Sequence, residues 1–67
     1  MAKITYRDCP VNNTGKQEKV YLGGKLVGYI YCQLRADTAE YFYEPLGSKL
    51  HGAILPSLRA VHRSLES

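Results

Sequence analysis

Residues 29–45 read YIYCQLRADTAEYFYEP, and how this stretch folds decides the rest of the chain. Two runs rich in tyrosine, isoleucine and phenylalanine flank the polar break Arg35-Ala36-Asp37-Thr38, the pattern of two strands joined by a turn. Upstream, EKVYLGGKLVGYIYCQLR (18–35) reads as a second hairpin. Gly23-Gly24 takes the positive φ angles of a tight two-residue turn, and Val, Tyr, Leu and Ile favour strands on either side. The hairpins share their middle strand, which predicts a three-stranded antiparallel β-meander over 18–45. Pro45 ends it, since proline has no amide hydrogen to give to a ladder.

At the N-terminal side, KITYR alternates apolar and polar residues and suits a short edge strand. DCPVNNTGK, with its Asp, Pro, Asn and Gly, suits a loop, so residues 1–15 read as edge strand and loop. Beyond Pro45, LGSKLHG is a glycine-bearing connection. Its Lys49 precedes Leu50 rather than Ser or Thr, which favours a turn over a phosphate-binding loop. The helix is expected over 57–66. Ser57 is a natural N-cap, and Leu58, Val61, His62 and Leu65 recur at helical spacing, leaving Arg59, Arg63 and Glu66 toward solvent. About three turns of helix cannot persist alone in water, so the apolar face must dock on the sheet. The expected fold is α+β, a single domain of 67 residues. At this size about 60% of the unfolded surface is buried, and the core is thin.

Which sheet face meets the helix depends on register. A two-residue Gly23-Gly24 turn sets Leu22 opposite Lys25 and Val20 opposite Val27, unless a bulge at Gly28 changes the phase. That pairing gathers Val20, Leu22, Val27, Tyr29 and Tyr31 on one face. A turn at Asp37-Thr38 sets Leu34 opposite Tyr41 and Cys32 opposite Tyr43, whereas a three-residue connection would gather all four tyrosines of the stretch on one face. The preferred arrangement puts Ile30, Cys32 and Leu34 under the helix and Tyr29 and Tyr31 on the opposite face.

No run approaches the roughly 18 apolar residues of a membrane span, and MAKITYRDC lacks the apolar core of a signal peptide, so a cytoplasmic protein without membrane contact is expected. In that compartment Cys9 and Cys32 read as thiols. Cys9, Cys32, His51 and His62 include nucleophile and base types, but no Ser or Cys sits in a nucleophile elbow. Glu40 and Glu44 flank a strand rather than defining an acid–base pair, and Cys9 and Cys32 lack the close spacing of structural zinc sites. No catalytic residue, metal or cofactor is expected.

Net charge is +3 and unevenly spread. Between residues 26 and 46, Arg35 stands alone against Asp37, Glu40 and Glu44, while both flanks are basic. Aromatic side chains on a sheet can stack bases, but a segment of net negative charge repels a phosphate backbone. A DNA-binding alternative therefore falls to Lys49, Arg59, Arg63, Lys16 and Lys19. Tyr29, Tyr31 and Phe42, edged by Arg35, Glu40 and Glu44, have the aromatic centre and charged rim of a protein interface. Such a patch needs residues 1–15 folded over it, a partner protein, or a second copy in a homodimer.

Two resemblances bear on this. Three antiparallel strands followed by a helix, over roughly 18–66, resemble the arm-type DNA-binding domain of tyrosine recombinases, which implies a sheet in the major groove. The acidic Asp37, Glu40 and Glu44 depart from that pattern. GGKLVGYIYCQL, YFYEPLGSKLHG and SLRAVHRSLE together resemble short uncharacterised phage and prophage proteins. That resemblance implies a mobile-element origin and no defined activity; small proteins of that kind commonly act by docking on host proteins, as inhibitors or modulators, or by touching DNA, and host-protein docking is the expected function.

Overall fold

A computed structural model describes residues 3–9, 15–48 and 50–67. Four strands form one sheet in the order β1 (Ile4–Asp8), β2 (Lys16–Leu22), β3 (Lys25–Arg35) and β4 (Thr38–Pro45), every neighbour antiparallel. Helix α1 (Leu58–Glu66) follows. The α+β class and the C-terminal helix are as expected, but the meander has four strands rather than three. The edge segment pairs with β2 along its whole length, from Ile4 opposite Leu22 to Asp8 opposite Glu18.

The first hairpin turns at Gly23 (φ 61°) and Gly24 (φ 84°), with Leu22 opposite Lys25. Two residues further from the turn the expected pairing fails. Tyr21 pairs with Leu26, yet Val20 pairs with Gly28, so Val27 is the extra residue of a bulge. The bulge changes the phase and carries Val20 to the helix side, away from Tyr29 and Tyr31. It also leaves the Val27 carbonyl outside the regular ladder, where the Tyr43 hydroxyl (3.1 Å) and the Leu46 amide (2.9 Å) both donate to it.

The second hairpin turns at Ala36-Asp37, one residue earlier than expected. β-Branched Thr38 joins β4 opposite Arg35 instead of serving in the turn. Leu34 thus faces Ala39, Cys32 faces Tyr41 and Ile30 faces Tyr43. Pairing has moved by two residues, and a shift by two keeps every side chain on its face.

Ser57 caps α1, its hydroxyl accepting from the Ala60 amide at 3.1 Å. The helix packs over Ile30, which is fully buried together with Val20 and Val61. Tyr41, Tyr43, Leu55, Leu58 and Leu65 pack around this trio. Cys32 is half-buried on this face, but Leu34 is 78% exposed and does not meet the helix, because it sits near the hairpin tip beyond the helix's reach. A polar clasp ties α1 to β1 and β2. The His62 ring stacks on Tyr6 (3.7 Å, 16°), its Nε2 lies 2.6 Å from Glu18 Oε1, and the Tyr6 hydroxyl donates to Glu66 at 2.6 Å. Burial, then the bond to Glu66, pushes the Tyr6 phenol well above its usual range.

The outer edge of β4 is covered by the segment leading to the helix. The Gly52 amide donates to the Tyr43 carbonyl (2.8 Å), and Tyr41 and Leu55 exchange backbone hydrogen bonds of 2.9 and 2.8 Å.

Candidate interaction face

The two tyrosine pairs of the opening stretch part company. Tyr41 and Tyr43 lie on the core side, whereas Tyr29 and Tyr31 stand on the opposite face with Phe42. Direct cross-strand partners share a face, so rows can be read across the sheet. One row is Arg7, Lys19, Tyr29 and Glu44; the next is Lys16, Tyr31 and Phe42; a third is Gln33 and Glu40. Gln33 donates to Glu40 at 3.2 Å. Arg35 belongs to the same face by alternation and is exposed at its far end.

The rings form a continuous ladder. Tyr31 and Phe42 are parallel to within 8° with centroids 5.4 Å apart, which rings lying flat side by side could not achieve, so the pair overlaps face to face. Tyr29 meets Tyr31 edge-on at 6.5 Å, and His51 leans on Phe42 at 4.5 Å. Lys16 Nζ lies 4.3 Å from the Tyr29 ring centre, and Arg7 lies 5.8 Å from that of Tyr21. Burial, then the neighbouring Glu44 carboxylate, raises the pKa of Tyr31.

The ladder bears on base stacking. A stacking platform needs ring faces turned outward, but Tyr31 and Phe42 each turn one face toward the other in an offset stack, and Lys16 and His51 take up further ring surface of Tyr29 and Phe42.

The charged rim expected of Arg35, Glu40 and Glu44 is joined by basic residues from other strands. Arg7, Lys16 and Lys19 arrive from β1 and β2 on one flank of β3, and Glu40 and Glu44 stand on the other. The face is therefore polar across the sheet. The residues offered for DNA contact are divided: Lys16 and Lys19 belong to the aromatic face, while Arg59 and Arg63 are exposed on the helix beyond the other face. Lys49 lies outside the described residues. Arg7, Tyr21 and His51 join the face unexpectedly. The Thr5/Arg7 alternation carried the signal for Arg7, but only in combination with the pairing of β1, and nothing local announced His51.

Among the described residues, no group of three or more His, Cys, Asp or Glu side chains is placed to hold a metal ion, and no helix is long and apolar enough to cross a membrane. Cys9 and Cys32 are both free thiols. No protein-family model, curated protein or solved structure matches the chain.

Proposed function

We propose that this chain is a non-catalytic docking protein whose aromatic face binds a partner protein, as an inhibitor or modulator of host machinery if its resemblance to uncharacterised phage and prophage proteins reflects its origin. One observation carries the reading. Tyr29, Tyr31 and Phe42 remain half-exposed among the described residues, and of the segment 1–15 expected as their alternative cover, Ile4–Asp8 pairs within the sheet as β1 while 10–14 lie outside the described residues. Half-exposed tyrosines clustered inside a charged rim are the composition of an interface centre, because each brings a large ring at little cost in rotamer freedom. DNA binding, the alternative, has weaker support, since its basic residues fall on both sides of the sheet and part of the ring surface is already engaged.

Capture from nuclease-treated host lysate tests the proposal. Tyr31→Ala is expected to lose the partner retained by the wild-type chain while keeping its circular dichroism spectrum, and Arg59→Glu with Arg63→Glu is expected to retain it. Loss of capture in the arginine variant alone, with binding that falls steeply as salt rises, would transfer the function to nucleic acid.

A further inference from the structure

Charge changes sign across the aromatic face, and this restricts what can cover it. Arg7 and Lys19 stand on the β1–β2 side of Tyr29, and Glu44 stands on the β4 side at the same level along the strands. A partner of one charge sign is attracted by one flank and repelled by the other. A surface that matches the whole face must be basic where this one is acidic, with apolar rings between. In its Lys19–Tyr29–Glu44 row this face becomes such a surface when turned half a revolution about an axis along β3. That rotation exchanges the β2 and β4 flanks and preserves the level along the strand, so Lys19 of one copy meets Glu44 of the other, twice over. Tyr29 and Tyr31 lie on the axis strand and meet their own counterparts, where aromatic pairs are favourable.

We infer that the aromatic face is self-complementary and that the chain forms a two-fold homodimer through it, sheet against sheet. The inference rests on reading this face as a protein-docking surface. It adds that self-pairing and capture of a foreign partner exclude each other, because both use the same rings. Turned about β3, only β2, β3 and β4 find a strand opposite, and three strands about 4.8 Å apart and about seven residues long give a footprint of roughly 330 Å² per copy. That is below the roughly 800 Å² per partner of a standard interface, so the dimer belongs to the weak, concentration-dependent class. A dimer that opens readily suits a face that must also be yielded to another protein.

Sedimentation equilibrium from about 10 µM to about 1 mM tests the pairing. The wild-type chain is expected to pass from monomer to dimer over this range, and 1 M salt to weaken the dimer by screening. K19E and E44K each place like charges at both contacts and are expected to weaken self-association at least about tenfold. Mixed together, the two variants restore opposite charges at both contacts, so a heterodimer of about wild-type strength is expected. Within one monomer positions 19 and 44 flank Tyr29 without touching, so this recovery cannot come from repaired folding. The proposal is overturned if the wild-type chain stays monomeric at 1 mM, if either single variant dimerises as the wild type does, or if mixing recovers nothing. Retention of single-stranded DNA by the wild-type monomer, abolished by K19E, would also overturn it by giving the face to nucleic acid. Partner capture separates the two readings. A monomer that loses its captured protein on Tyr31→Ala refutes self-pairing alone. A dimer that obeys the charge exchange but releases no protein-binding face to any lysate component refutes foreign docking alone.

Discussion

At the scale of single residues, two turn and strand positions carry most of the conformational information. Ala36 has φ 55° while Asp37 is not in the positive-φ region, so the second hairpin has the pattern of a turn that wants glycine first. Alanine there bears the left-handed penalty of about 1 kcal/mol. Ala36→Gly is expected to stabilise the domain by about 0.5–1 kcal/mol in urea denaturation, despite removing a side-chain carbon. Gly28 poses the reverse case. Its conformation is open to any residue, but a Cβ there would lie 2.6 Å from the Tyr43 ring and 2.7 Å from the Glu44 carbonyl. One of those contacts is backbone, so Gly28→Ala must push β4 away, and a loss of about 2–3 kcal/mol is expected. The sequence signalled Gly28 as a possible bulge site, and a bulge lies beside it. Ala36 was illegible because alanine carries no turn signal; there the pairing of Cys32 with Tyr41 and Ile30 with Tyr43 overrode local preference.

Among the secondary-structure elements, the helix was the most legible, since its cap and its apolar spacing are both local. Ser57→Ala removes the acceptor for the Ala60 amide and is expected to cost about 1 kcal/mol, read as a lower thermal midpoint with no change in the folded spectrum. The strands were legible as strands, but their partners were only partly so. β1 is five residues long and its role is fixed by β2, a contact made across a loop whose length says nothing about which face the chain returns to. This is also why the basic flank of the aromatic face was not foreseen. Summing charge along one segment counts neighbours in sequence, while Arg7, Lys16 and Lys19 become neighbours of Tyr29 and Tyr31 only through pairing. The aromatic centre of the site could be read from alternation alone, but its basic flank could not.

For the molecule as a whole, the phenols link folding to alkaline pH. Tyr6 and Tyr43 are held above the ordinary value of 10.0 mainly by burial, Tyr31 by burial and then Glu44, and Tyr41 by the Cys32 thiol opposite it. A raised folded value means that the native chain keeps protons that the unfolded chain has lost. The resulting stability is complete below pH 10 and declines as pH climbs through the folded values. Tyrosinate absorbance is therefore expected to rise together with loss of the folded spectrum above pH 10, and a late fraction of it to ionise only as the chain unfolds. The sheet also has two unlike margins. Along β4 the outward amide and carbonyl of Tyr41 are taken up by Leu55 and the carbonyl of Tyr43 by the Gly52 amide, whereas along β1 no described strand supplies a second partner. A ribbon that can be extended on one side only can join a like ribbon once, and the joined pair then has no open side left. Strand addition by itself therefore ends at two chains, because Leu55 and Gly52 occupy the β4 side.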